Sequence, residues 1–119
     1  MSTTRTNLFA DIDRMDADAW SEYLAEDVVM RFGNAEPVRG RQACRDALAA
    51  FYDTIAGVSH QIVEQWETST ATIVESNVTY TRKDGRQVTV PAVTIYRTND
   101  EDLIADYRIY IDIAPVFAD

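Results

Sequence analysis

The sequence predicts an α+β domain in which N-terminal helices pack on the concave face of a curved, cone-shaped antiparallel sheet and enclose a pocket. Three observations carry this expectation. Apolar residues recur at helical spacing through the first half of the chain. From Ser59 onward the pattern turns to segments rich in Val, Ile, Thr and Tyr, bounded by turn residues. Between two of those segments stands Lys83-Asp84-Gly85-Arg86, whose Asp-Gly pair is the strongest short-range hairpin signal in the chain.

The elements follow in order. Thr3 or Thr4 caps a first helix with Leu8, Phe9, Ile12 and Met15 at helical positions. Asp16 is an N-cap for a second, short helix from Ala17 to Leu24, with Trp20 and Leu24 four apart on one face. The run Val28 to Phe32 is partly β-branched and stopped by Gly33-Asn34, which predicts a short strand. Pro37 to Gly40 reads as a loop. A third helix is expected from Arg41 to about Ile55, burying Ala47, Leu48, Phe51 and Ile55 and ending at Gly57. Four strands are expected at 59–68, 71–82, 87–97 and 103–113, with Asn99 to Asp102 as the last turn. Pro91, inside the third of these, requires a bulge or a position where no N–H is needed. Successive hairpins make the sheet antiparallel, and helices over the mouth of a curved sheet leave a cavity of the kind small ligands occupy.

Composition limits the function classes. The 119 residues, 46% hydrophobic and 26% charged, suit one domain spanning 1–119 with a real core. A formal net charge of -9 repels phosphate backbones and anionic lipid, so neither nucleic acid nor membrane is an expected partner. The acids are spread along the chain, and Asp11, Asp13, Asp16 and Asp18 read as solvated surface. No apolar run approaches the ~20 residues of a membrane span. The start, MSTTRTNLF, lacks the apolar core of a signal peptide. A single cysteine, Cys44, permits no intrachain disulfide, and a reducing, cytoplasmic location follows. One histidine, one cysteine and scattered acids give no metal-ligand spacing. The four glycines stand apart, so no phosphate loop forms and no cofactor is expected.

The order of elements, together with particular residues, resembles the SnoaL-like branch of the nuclear transport factor 2-like superfamily. The matching residues are Ala25-Glu26-Asp27-Val28-Val29, Pro37-Val38-Arg39-Gly40-Arg41, the Asp84-Gly85-Arg86 hairpin and the closing Tyr107 to Asp112. The resemblance implies a pocket-forming fold that hosts isomerases, cyclases, epoxide hydrolases, dehydratases and non-catalytic binders. Enzymes similar to ketosteroid isomerase carry a base aspartate where this chain has Phe32. Those similar to limonene epoxide hydrolase carry polar groups where it has Met30, Phe32, Glu75-Ser76-Asn77 and Ile109. Both activities are therefore disfavoured. Polyketide cyclases of the SnoaL type use an aspartate late in the final strand, for which Asp112 is the nearest match. The resemblance also implies a homodimer through the outer sheet face, where Tyr110 and Val93 stand.

The residues themselves offer four candidates for acid/base catalysis: Asp112, His60, Tyr110 and Glu75. His60, the lone histidine, is either a proton-transfer group at the cavity wall or a ring hydrogen-bonded in place. Asp112 with Tyr110 supplies a carboxylate base and a hydroxyl donor, or else a surface cluster with Arg108. In a strand, Asp106, Arg108, Tyr110 and Asp112 share one face and Tyr107, Ile109, Ile111 and Ile113 the other, so only one set can face a pocket. Glu75 is a base if desolvated, or a cross-strand partner of Arg82 or Arg97. Met30, Phe32, Phe51, Trp66, Asn77, Tyr80, Tyr96 and Ile109 are candidates to line a site for a small hydrophobic ligand, although core packing explains most of these residue types equally well. Cys44, without a partner to lower its pKa, reads as inert. Two functions remain open: a cofactor-independent isomerase, cyclase or dehydratase acting on a hydrophobic carbonyl compound, and a non-catalytic ligand-binding or dimerisation domain.

Overall fold

The computed structural model describes residues 7–118. Its helices are α1 (Leu8–Asp13), α2 (Ala17–Ser21), α3 (Arg41–Tyr52) and α4 (Ala114–Phe117). Its strands are β1 (Leu24–Phe32), β2 (Val38–Arg39), β3 (Gly57–Glu67), β4 (Thr72–Thr81), β5 (Gln87–Thr98) and β6 (Ile104–Ile111). The six strands form one curved, unclosed sheet in the order β2-β1-β6-β5-β4-β3, with helices on its concave side. This is the expected α+β architecture. Among the described residues no helix is long and apolar enough to cross a membrane.

Several details differ from the sequence reading, among them the short strand β2 at Val38–Arg39, where Pro37 to Gly40 reads as a loop, and helix α4, which that reading lacks. The sheet is not wholly antiparallel, because β1 pairs with β6 in parallel. Hairpins dictate antiparallel pairing between consecutive strands, but most of the chain lies between β1 and β6, and nothing local sets their relative direction. The second helix stops at Ser21, and Leu24 already belongs to β1. Helical spacing from Trp20 to Leu24 is real, yet both side chains are buried from different elements. The third helix ends at Tyr52, and Gly57 opens β3 rather than closing the helix. The Thr3 and Thr4 caps lie outside the described residues, and Met15 lies beyond the end of α1.

Where side-chain chemistry was specific, the local reading and the structure agree. Asp16 caps α2, its Oδ1 accepting the Ala19 N–H at 3.0 Å. The register between β4 and β5 passes Pro91 without a shift, and Pro91 lies just beyond the last residue pair of β6, so the missing N–H costs no ladder bond. Register shifts fall instead between Leu24 and Val29, at Val63, and between Arg97 and Thr98. Such irregularities bend strands and increase local twist, and here they accompany a sheet that curls around the helices.

The concave face carries the core. One cluster gathers Leu8, Ile12, Trp20, Leu24, Val28, Tyr96 and Tyr107; a second gathers Tyr52, Ile55, Val78, Tyr80, Val90 and Val116. Met15, with φ 59, and Arg14 turn the chain sharply between α1 and α2. At the other end of the chain, Arg82 donates to the carbonyls of Val116 and Ala118 and holds α4 against the sheet.

Candidate functional site

Between α1, α3 and the concave face lies a cavity of about 190 Å³. Its walls are almost wholly apolar. Met30, Phe32 and Ile109 come from β1 and β6, Leu48 and Phe51 from α3, and Val78, Tyr80 and Ala92 from β4 and β5. Ala35 and Glu36, both exposed on the loop between β1 and β2, contribute to the lining, as does His60 of β3.

His60 sits in a specific arrangement. Its ring Nδ1 lies 2.6 Å from Asp13 Oδ1, and its backbone N–H donates to Asp13 Oδ2 at 3.0 Å. One carboxylate thus fixes both the strand position and the ring. Asp13 is the last residue of α1, four positions after Phe9, whose ring packs on the imidazole at 5.0 Å. Asp13, Phe9 and His60 therefore form one contact between helix and strand. An ionised Asp13 accepts, so it selects the tautomer with hydrogen on Nδ1 and leaves a lone pair on Nε2, the nitrogen free to meet a ligand. The His60 side chain is only 11% exposed, and Asp13 is 29% exposed.

Tyrosine hydroxyls surround this pair. Tyr52 donates to the Ile12 carbonyl at 3.0 Å, and the Tyr107 ring meets Trp20 edge-on at 5.6 Å. Tyr80, on β4 beside β3, has its pKa pushed up to about 12, first by burial and then by the charge of Asp13. Burial also raises Tyr52 and Tyr107. A phenol whose folded pKa exceeds its unfolded value stabilises the fold fully below the unfolded pKa, and that contribution is lost as pH rises through the folded one. Thermal unfolding followed from pH 9 to 12 should therefore show a melting temperature that is level to about pH 10 and falls steadily above it. Tyr80→Phe should flatten that fall.

The remaining sequence candidates lie elsewhere. Asp112, Tyr110 and Glu75 are exposed and do not line the cavity. The apolar face of β6, with Tyr107, Ile109 and Ile111, takes the concave side, because burial of three large side chains outweighs that of charged ones. Asp112 instead accepts the Ala114 N–H at 3.0 Å and turns the chain into α4. Tyr110 stands on the outer face beside Arg108, which pairs with Asp106 at 3.0 Å. Glu75, across from Glu64 and Val93, also faces outward. Of the expected lining residues, Met30, Phe32, Phe51, Tyr80 and Ile109 border the cavity. Trp66 is an exposed outer-face residue near the end of β3, and Asn77 lies half-buried on the same side. Tyr96 is buried, stacked on Tyr107 with ring centroids 6.2 Å apart, and does not reach the cavity. Cys44 is buried with its pKa raised by burial, in keeping with an inert thiol.

Sequence reasoning misses Asp13, which it places on a solvated acidic surface. The available signal is its phase: four residues beyond Phe9 and one after Ile12, it lies beside the buried stripe of α1. Trp20 and Tyr52 also border the cavity without having been expected there.

An apolar chamber under helices on a curved sheet, with a histidine–carboxylate pair in its wall, is an arrangement of the cone-fold class. The SnoaL-like domain profile matches residues 6–107, and the chain belongs to that family. No curated protein sequence matches it. Solved structures similar to it include an NTF2-like protein from Burkholderia pseudomallei K96243 at 20% identity. That likeness has a TM-score of 0.84 and covers 98% of this chain and 95% of the other. A protein from Jannaschia sp. CCS1, classed with the SnoaL-like polyketide cyclases, is 18% identical with a TM-score of 0.82, covering 95% and 85%. An epoxide hydrolase from M. tuberculosis that resembles limonene epoxide hydrolase is 16% identical with a TM-score of 0.78, covering 92% and 80%. At these identities the likeness is one of fold.

Proposed function

We propose that this protein binds a small hydrophobic carbonyl compound in the cavity and performs cofactor-independent acid/base chemistry on it, an isomerisation, cyclisation or dehydration, with His60 moving the proton. The observation that carries this reading is the Asp13–His60 pair set into an otherwise apolar wall. An imidazole held by a carboxylate is oriented, fixed in one tautomer and stabilised when it gains a proton. Apolar surroundings keep water from competing for it. The test is exchange of the α-protons of cyclohexanone for solvent deuterium, followed by proton NMR. His60→Ala should slow the catalysed exchange by about 10²- to 10⁴-fold. Equal rates in both proteins would remove His60 from the reaction.

A second reading, a binder without chemistry, is favoured by the apolar Met30, Phe32 and Ile109 in the cavity wall. It predicts saturable binding of cyclohexanone with no exchange above buffer.

The same proposal includes a homodimer and a cytoplasmic location. On the outer face, Trp66, Ile73 and Ile95 align across three strands, beside Val93 and Tyr110. Trp66 is 42% and Tyr110 55% exposed. Exposed and half-buried apolar groups set side by side in this way suit a second copy of the chain. Sedimentation should give twice the chain mass at micromolar concentration, and a monomer there would contradict the pairing.

A further inference from the structure

We infer that two copies of the chain stack their outer sheet faces about a two-fold axis running along β5, so that Glu64 and Glu75 of each copy meet Arg31 and Arg108 of the partner subunit. The inference rests on the proposed homodimer and adds its orientation and the charges that fix it.

The strand register sets the outer face out in rows. One row runs Arg31, Arg108, Ile95, Ile73 and Trp66 across β1, β6, β5, β4 and β3. The next runs Tyr110, Val93, Glu75 and Glu64 across β6, β5, β4 and β3. Cations thus stand on β1 and β6 and carboxylates on β4 and β3, while apolar and aromatic side chains fill the rest of both rows. Arg31, Arg108, Glu64 and Glu75 are all exposed.

Each of these charges stands beside its own kind. Glu64 is in register with Glu75, and Arg31 with Arg108. Like charges on neighbouring strands repel. Asp106 relieves Arg108 at 3.0 Å. Among the described residues Glu64, Glu75 and Arg31 have no ion-pair partner. One copy alone therefore keeps two uncompensated carboxylates on one side of the face and an uncompensated guanidinium on the other. Such a face is complementary to itself.

Symmetry then selects the orientation. Two sheets stacked face to face as an isologous pair have their two-fold axis in the plane between them. An axis across the strands lays β3 over β3, so carboxylates face carboxylates and arginines face arginines. An axis along the strands reverses the strand order. In the run β1-β6-β5-β4-β3 the middle strand is β5, and an axis there lays β6 over β4 and β1 over β3. Ile95 and Val93 then meet their own copies. Ile73 lies over Arg108 of the partner subunit, and Trp66 offers its ring face to Arg31 of the partner subunit. The charged rows are offset by two residues, about 7 Å along the strand. Arginine and glutamate side chains span that offset within the gap of about 10 Å between stacked sheets.

The experiment is sedimentation of the unsubstituted chain, of Glu64→Lys with Glu75→Lys, and of a fourfold variant that adds Arg31→Glu and Arg108→Glu, each checked for folding by circular dichroism. The double variant sets lysines against arginines and should weaken the dimer by about 10²-fold. The fourfold variant should restore it, and native mass spectrometry should show no mixed dimers with the unsubstituted chain, where like charges would meet. An unsubstituted chain that is monomeric at micromolar concentration overturns the homodimer and the orientation together. A dimer that the double variant leaves intact, or that the fourfold variant fails to restore, keeps the homodimer and overturns these ion pairs. Mixed dimers formed in preference to homodimers would turn the axis across the strands and overturn the orientation. Salt gives a reading that needs no variant. Raising it from about 0.1 to 1 M shortens the screening length from about 10 to 3 Å and should weaken the unsubstituted dimer about tenfold. A dissociation constant that salt leaves unchanged would overturn the role of charge.

Discussion

Asp13→Asn should leave the fold in place and lower catalysed proton exchange by about 10²- to 10⁴-fold. The physical reason is the tautomer. Asp13 accepts twice, from the backbone N–H of His60 at 3.0 Å and from Nδ1 at 2.6 Å. In the amide variant the side-chain carbonyl oxygen can keep the backbone bond, but the amide nitrogen then presents N–H to Nδ1. The ring must accept there and carry its hydrogen on Nε2, where the lone pair is needed. The imidazolium also loses its counter-charge. Melting temperature should change little while exchange collapses, and Asp13→Glu should not restore it, because a longer side chain cannot hold both bonds at the same helix position. Full exchange activity in Asp13→Asn would show that the carboxylate only anchors β3 to α1.

Trp20→Ala should cost about 3–5 kcal/mol of stability, enough to leave a domain of ordinary stability partly unfolded near 37 °C. Trp20 is 1% exposed and meets the Tyr107 ring edge-on at 5.6 Å. Removing the indole leaves a large void and strips the edge-on contact from the Tyr107 ring. Urea unfolding monitored by far-ultraviolet circular dichroism measures the shift in midpoint. Trp20→Phe should recover the edge-on ring contact but only part of the volume, and should fall between the two. Because Trp20 also borders the cavity, the alanine variant should admit larger ketones than the unsubstituted protein, provided it is assayed below its melting transition.

The two variants separate roles that one chamber combines. In the proposed reaction Asp13 acts on a proton through His60, and Trp20 sets the volume of the chamber. The acids that the sequence nominates for catalysis have neither role, since Asp112 starts α4 and Glu75 faces away from the cavity. Asp112→Ala should therefore leave exchange unchanged.

Local chemistry made much of the fold legible in the sequence. The Asp84-Gly85 turn, the Asp16 cap and the alternation in β4 and β5 are each decided by residues within a few positions of one another. The apolar face of β6 was also written in the chain, although which face turned inward was not. That choice depends on what the helices present from above, and only packing reveals it. Burying Tyr107 and Ile109 sent Tyr110 and Asp112 outward and removed the most plausible-looking acid/base pair from the cavity.

Most of the elements, their hairpin order and an apolar concave surface can be read from the order of residues, because short-range geometry and periodicity govern them; β2 and α4 are the exceptions. Three other features emerge only when the chain is folded: the parallel closure of β1 on β6, the size of the chamber, and the meeting of Asp13 with His60 across 47 positions of chain. Contacts at that separation depend on how a helix settles against a curved sheet, and no local pattern encodes the angle at which it does.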